Sequence, residues 1–312
     1  MDRLSPLATP SATRAVLEKH GLYTKYGLGQ NFLVNDDVVR KIVQLADVQP
    51  TDHVLEVGPG IGTLTCALLQ FAGHVTAVEM DHDLPRVLAD TLAPWADHFS
   101  LLEMDALDLP AQATDRFSSG ASPATAEASA AIVPALPNKM VSNLPYAVAA
   151  TVVLDYFQSF PALESATVMV QKEVADRMCA QPGNKVYGAY TVKLGLSAKP
   201  AGRFPVAPGN FFPPPHVESA VLRLDRATPV DDAGMPLDDA LREKACLMAD
   251  AAFANRRKTI ANSFKTFFAG KGDEGAALLE ELPAALERAG IDARRRGETL
   301  SQAEFIRLAQ AL

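Results

Sequence analysis

Three cysteines, Cys66, Cys179 and Cys246, are too few and too widely spaced for a disulfide framework or a thiolate zinc site. Each sits in a helical, apolar pattern, where a buried thiol is the expected state. No apolar run approaches the ~18 to 20 residues a membrane-spanning helix requires, and the opening M-D-R-L-S-P-L-A-T-P lacks a sustained apolar core behind a basic start. A cytoplasmic protein with neither a membrane nor a metal partner is expected. Positive charge is in deficit as well: 29 Lys and Arg against 37 Asp and Glu give a net charge of −8. That argues against a surface coated in nucleic-acid-binding cations, but not against local basic patches. Missing too is a Lys-Ser or Lys-Thr pair behind a glycine-rich loop, which excludes a P-loop nucleotide site. What the chain has in quantity is apolar surface to bury. With 48% hydrophobic content over 312 residues, it can build one large domain and a smaller one.

Short β-branched runs alternate with helical segments, the pattern of a parallel sheet covered by helices. The expected strands are 53–57, 74–80, 99–105, 139–143, 166–171 and 219–225. Before the first of them, Asn35 reads as an N-cap, with Asp36 and Asp37 in the first turn and an apolar stripe at Val38, Val39, Ile42 and Leu45. Residues 1–24 show no motif and are expected to be a flexible extension. Residues 111–131 are rich in Ala, Ser and Thr and are expected to be a mobile surface insertion. The stretch 227–236 reads as a linker between an α/β domain over 25–226 and an all-α domain over 237–312. Four short helices are expected in that second domain, the last opened by a capping box of Ser301 and Glu304.

The first chemical motif is E-V-G-P-G-I-G-T at 56–63, between a strand and a helix, where glycines let backbone amides approach a ligand. Glu79 ends the next strand about twenty residues on, where an acidic side chain can accept from ribose hydroxyls. Asp105 ends the third strand, at the carboxyl edge where open α/β sheets bind ligands. A dinucleotide fingerprint counted from Gly58 would need glycine at Thr63, so the pattern departs from that of NAD enzymes. E-x-G-x-G-x-G with Glu79 and Asp105 resembles instead the S-adenosyl-L-methionine site of class I methyltransferases.

At the end of the fourth strand stands N-L-P-Y, residues 143–146. It is similar to the Asp/Asn-Pro-Pro-Tyr motif of enzymes that methylate exocyclic amines. The lone pair of an adenine amine is delocalised into its ring, so the nitrogen is a poor nucleophile. Two acceptors, the Asn143 side-chain oxygen and the Leu144 carbonyl, can favour a pyramidal nitrogen with its lone pair aimed at a methyl donor. Pro145 removes a donor and fixes the backbone, and Tyr146 offers a face for the base, a contact worth ~1 to 3 kcal/mol.

Taken together these motifs resemble the ribosomal RNA adenine dimethyltransferases over residues 25–312. G-Q-N-F-L at 29–33 looks like the family's N-terminal cofactor motif, carrying Asn31 and the Leu33 backbone. E-V-G-P-G, E-M-D, M-D-A and N-L-P-Y carry Gly58 and Gly60, Glu79 and Met80, Asp105 and Ala106, and Asn143 as cofactor contacts. F-F-P-P-P-H-V-E-S at 211–219 matches Phe-x-Pro-x-Pro-x-Val-x-Ser, which implies that Phe211 stacks on the base opposite Tyr146. The resemblance implies a Rossmann-like class I methyltransferase domain followed by a small helical domain. It further implies an S-adenosyl-L-methionine-dependent enzyme that dimethylates two adjacent adenosines near the 3′ end of small-subunit 16S rRNA, within the immature 30S subunit, as a monomer and without a metal. RNA contact is expected from Lys185 and from Arg256, Arg257 and Lys258, with Arg294, Arg295 and Arg296 as a second basic run. Three alternatives stand beside this reading: a large-subunit rRNA methyltransferase conferring macrolide resistance, an assembly factor whose methylation is secondary, and a dehydrogenase.

Overall fold

Four strands that are buried along almost their whole length, 53–57, 74–79, 139–143 and 165–171, form the centre of this fold, as parallel strands covered on both faces do. The computed structural model describes residues 3–25, 30–117 and 136–312. It divides the chain into two units, residues 1–175 with 200–225, and residues 176–199 with 226–312. In chain order the elements of the first unit are α1 (Pro10–Lys19), β1 (Phe32–Leu33), α2 (Asp36–Ala46), β2 (His53–Val57), α3 (Thr63–Leu68), β3 (His74–Glu79), α4 (Pro85–Thr91), β4 (Phe99–Glu103), α5 (Leu109–Phe117), β5 (Lys139–Asn143), α6 (Ala149–Ser159) and β6 (Ser165–Gln171). Helix α7 (Lys172–Met178) crosses into the second unit and α8 (Ala189–Gly195) lies within it. Strands β7 (Ala198–Val206), β8 (Phe211–Phe212) and β9 (Ser219–Arg226) return to the sheets of the first unit, and α9 (Asp239–Phe253), α10 (Ile260–Phe268), α11 (Gly272–Arg288) and α12 (Gln302–Ala311) complete the second.

The main sheet has the order β4-β3-β2-β5-β6-β9-β7. β4, β3, β2, β5 and β6 are mutually parallel, and β9 runs antiparallel to β6. The sequence missed β7, because Pro200, Gly202 and Pro205 are poor strand formers. It lies at the sheet edge, the one place such residues are tolerated. Helix α2 begins as expected: the Asn35 side chain accepts from the Asp37 and Val38 amides, and Val38, Val39 and Ile42 are buried.

Residues 1–24, expected to be a flexible extension, are corrected by the described part of that segment. Thr9 caps α1 by accepting from the Ala12 amide. The Leu4 and Ser5 amides donate to the Asp36 carboxylate at 3.1 and 2.9 Å, and Leu7, Ala8 and Leu17 are buried. Apolar anchors at irregular spacing carry no motif, yet they suffice to dock the segment. Of the expected insertion, residues 111–117 fall in α5, and 118–131 lie outside the described residues.

The second unit packs around Tyr187, Met248, Phe264, Leu286 and Phe305. Residues 176–199, expected in the first domain, group with this unit because Tyr187, Val192 and Leu196 enter its core and the Tyr187 hydroxyl donates to the Leu300 carbonyl at 2.9 Å. Four helices follow the linker, though α9 and α11, at 15 and 17 residues, are not short. The Ser301 and Glu304 capping box is present in full. Within 227–236 the Asp231 carboxylate accepts from the Ala233 and Met235 amides, folding that stretch into a closed turn. Among the described residues no helix is long and apolar enough to cross a membrane.

Candidate active site

Four neighbouring parallel strands deliver the motif residues to one edge. Gly58 follows β2, Glu79 ends β3, Asp105 stands two residues past β4, and Asn143 ends β5. Successive connections run outward from β2 to β3 and β4 on one side and from β5 to β6 on the other, so the edge between β2 and β5 is a topological switch point, where such sheets open a crevice. The two strands separate there. Their ladder covers only Val54↔Lys139 and Leu55↔Met140, and the Val57 amide is taken instead by the Ser142 hydroxyl at 2.9 Å. Gly58 and Gly60 have φ of 69° and 59°, a region costly for a residue with a Cβ. A Cβ on Gly60 would lie 3.0 Å from the Phe32 ring, and one on Gly58 would touch the Pro145 ring at 3.5 Å. The glycine loop, the 31–33 segment and N-L-P-Y therefore meet in one place.

Acidic groups line this edge in an apolar setting. Glu79 is buried, which raises its carboxyl above the usual range, and its Oε1 accepts from the Asp81 amide at 2.9 Å. Glu56, one residue before the end of β2, is more deeply buried. Desolvation, with the Glu79 charge nearby, pushes its carboxyl up to about 8, and its Oε2 has no partner among the described residues. Asp105 is half-buried and accepts from the Leu107 amide at 2.9 Å. The Ala106 carbonyl is fixed by the Tyr156 hydroxyl at 2.9 Å, while Met80 beside Glu79 is exposed. Carboxylates held by backbone amides at strand ends can receive hydroxyl and amine donors, and an exposed Met side chain can cover the face of a flat ring.

The amide of Asn143 is oriented. Its Nδ2 donates to the Asn31 carbonyl at 3.2 Å, so Oδ1 is the atom left to accept. Leu144 is buried, and its amide donates to the Met169 carbonyl at 3.1 Å, anchoring the peptide just before Pro145. Tyr146 is half-buried, with its hydroxyl 2.6 Å from that of the buried Ser219; burial raises its phenol above the ordinary value. Leu33 is buried and pairs with Phe211. Here the structure corrects the sequence reading: Phe211 is 3% exposed and packs in the core with Leu33, Val206 and Val221. A ring so covered offers no face to a base. Its neighbour Phe212 pairs with Phe32 and is only partly buried, with the Arg14 guanidinium 5.1 Å from its ring centroid.

The comparisons with known proteins agree with this geometry. A sequence profile for ribosomal RNA adenine dimethylase matches residues 22–307. The chain belongs to the ribosomal RNA adenine dimethylase family. Relatives named ribosomal RNA small subunit methyltransferase A include proteins of Corynebacterium diphtheriae (38% identical, covering 97% of this chain and 95% of the relative), Enterococcus faecalis (38%, 98% and 96%) and Nocardia farcinica (39%, 97% and 94%). Among solved structures, the 23S rRNA methyltransferase ErmE is 25% identical with a TM-score of 0.62, over 90% of this chain and 99% of that one. A dimethyladenosine transferase from Plasmodium falciparum shares the fold, with a TM-score of 0.67 at 22% identity, over 89% and 95%. The fold is thus the Rossmann-like α/β fold of class I methyltransferases, and the chain is a methyltransferase of this family.

The residues expected to contact RNA lie in the helical unit. Lys185, Arg256, Arg257 and Lys258 are all exposed. Arg256 donates to the Lys185 carbonyl at 2.9 Å, so the two sequence-distant segments adjoin. The Ile260 amide donates to the Arg295 carbonyl at 2.7 Å, which brings the second basic run beside the first. Arg256, Arg294 and Arg295 are engaged by Glu298, Asp292 and Glu304, whereas Arg257, Lys258 and Arg296 have no ion pair among the described residues. Sequence reasoning missed Ser142, Ser219, Gln30 and Asp81. Three of them stood inside matched motifs, Gln30 in G-Q-N-F-L, Asp81 in E-M-D and Ser219 at the last position of the Phe-x-Pro pattern, while Ser142 carried no signal.

Proposed function

We propose that this member of the family methylates the N6 amines of two adjacent adenosines near the 3′ end of 16S rRNA, giving N6,N6-dimethyladenosine in the immature 30S subunit. S-adenosyl-L-methionine is the cofactor, and the enzyme works in the cytoplasm as a monomer. The observation that carries the reading is the amide of Asn143: its nitrogen is spent on the Asn31 carbonyl, so the switch-point crevice is given an acceptor oxygen and not a donor. The cofactor fits the residues present. Gly58 and Gly60 leave the backbone bare, Glu79 and Asp105 are acceptors that would suit ribose hydroxyls and an adenine amine, and Met80, Ala106, Asn31 and Leu33 would complete the set of contacts that hold it. When bound, the cofactor supplies an electrophilic methyl group on a sulfonium sulfur. The protein's part is to hold and tune the amine. Asn143 Oδ1 and the Leu144 carbonyl accept its two hydrogens, and Tyr146, tethered by Ser219, holds the base. Placement within ~3 to 3.5 Å and alignment supply most of the acceleration. No general base is needed, since the alkylated nitrogen is acidic. A neutral amide also lets the monomethylated nitrogen turn and present its remaining hydrogen for a second transfer. The target bases are taken out of their stack, as base-modifying chemistry requires.

The relatives at 38 to 39% identity all carry the small-subunit name, which favours this substrate over large-subunit rRNA. Mass spectrometry of rRNA from a deletion strain tests the choice: loss of dimethyladenosine from 16S rRNA is expected, and loss confined to 23S rRNA would reverse it. With purified immature subunits, Asn143→Ala is expected to abolish methyl incorporation while leaving cofactor binding measurable. Unimpaired incorporation would remove the role given to the amide.

A further inference from the structure

The Asn143 amide could present either end to a substrate, since turning the side chain by half a turn exchanges its oxygen and nitrogen. What takes the nitrogen is the Asn31 carbonyl, and the residue before it, Gln30, is held by its side chain. Asp81, buried two residues past β3, is the anchor. Its Oδ2 accepts from Gln30 Nε2 at 2.7 Å, and its Oδ1 accepts from Lys25 Nζ at 2.6 Å. Gln30 Oε1 in turn accepts from the Lys25 amide at 2.9 Å, and Lys25 Nζ also reaches Asp83 at 2.7 Å. The orientation of the Gln30 amide is therefore fixed at both ends, by a carboxylate on one side and a backbone N–H on the other. The Asp81 backbone amide meanwhile donates to Glu79 Oε1 at 2.9 Å. One chain of contacts thus runs from Glu79 through Asp81 and Gln30 to the Asn31 peptide and the Asn143 side chain. Burial works against the Asp81 charge, but Lys25, the Asp83 amide and Gln30 together hold its carboxyl below the ordinary carboxylate range, so the anchor is an anion at neutral pH.

We propose that Gln30 and Asp81 are positioning residues for the Asn143 amide: Asp81 grips Gln30, Gln30 fixes the Asn31 carbonyl, and that carbonyl takes the amide nitrogen so that Oδ1 faces the incoming amine. The inference rests on the role proposed for Asn143. It adds that the acceptor is selected by residues that touch neither base nor methyl group, and that the selection passes through the residue next to the carboxylate expected to hold the ribose.

The test is Gln30→Ala, which leaves Asp81 and Glu79 in place. Methyl transfer to immature 30S subunits is expected to fall ~10- to 100-fold in kcat, in line with the cost of ~1 Å misplacement at a reacting centre, with the Kd for S-adenosylmethionine nearly unchanged. In an Asn143→Asp background the side chain can no longer donate to the Asn31 carbonyl, so adding Gln30→Ala should cost nothing further. A second readout needs no turnover: hydrogen exchange of the Asn143 side-chain amide protons in the cofactor-free protein should quicken several-fold in Gln30→Ala, while the melting temperature stays within a few degrees. Equal losses in both backgrounds, weakened cofactor binding with kcat intact, or unchanged exchange would each overturn the proposal. Failure of the underlying reading looks different: Asn143→Ala would then retain turnover, whatever Gln30→Ala does to exchange.

Discussion

Glu56 carries a cost that the rest of the glycine motif does not. Its carboxyl is 1% exposed and is pushed up to about 8, while in the unfolded chain it titrates near 4.5. Between those two values the folded protein holds a proton that the unfolded chain has released, so this group makes stability fall as pH rises from about 4.5 to about 8. Glu56→Gln removes the titration. The melting temperature of the variant relative to the parent is therefore expected to be more favourable at pH 8 than at pH 5, and an equal difference at both values would refute the buried-acid account. At about 1.4 kcal/mol for each pKa unit the effect is large enough to see by calorimetry.

At the scale of elements, capping and burial decide more than propensity. Ser301 accepts from the Glu304 amide while Glu304 accepts from the Ser301 amide, and Arg295 pairs with the same carboxylate. Ser301→Ala is expected to cost about 1 kcal/mol, read as a lower urea midpoint with an unchanged m-value; no shift would mean that Arg295 alone holds the helix start. Such local devices are legible in a sequence because their partners stand three residues apart. The strand ends at Glu79 and Asn143, and the turn at Gly58 after β2, were legible too, whereas the third strand stops at Glu103 and leaves Asp105, expected at its end, two residues beyond it. Phe211 and Phe212 were not distinguishable in that way. Adjacent residues on a strand face opposite sides, and only the register Leu33↔Phe211 decides which ring goes inward. Gln30 and Asp81 stayed hidden for another reason: their hydrogen bond spans 51 positions, and nothing local announces it. The docked N-terminal segment and the reassignment of residues 176–199 likewise depend on contacts between distant parts of the chain.

For the molecule as a whole, a net charge of −8 must be reconciled with an RNA partner. In the proposed reading the helical unit does this by gathering cations locally, with Arg257, Lys258 and Arg296, which have no ion pair among the described residues, beside Lys185 and Arg256. Binding to immature subunits is expected to weaken steeply with salt, and replacing Arg257 or Lys258 by Ala should lower the slope of log K against log salt by about one each. Filter binding between low and moderate salt measures this, and a slope unaffected by both substitutions would move the RNA contact elsewhere. The start of the chain has a consequence of a different, practical kind. Because the Leu4 and Ser5 amides satisfy Asp36 and Leu17 shields Phe32, the ring behind the glycine loop, trimming the protein back to its first recognisable motif would strip the scaffolding from behind the candidate site. Anyone shortening the chain for crystallisation or labelling should cut before Leu4, not before the motif.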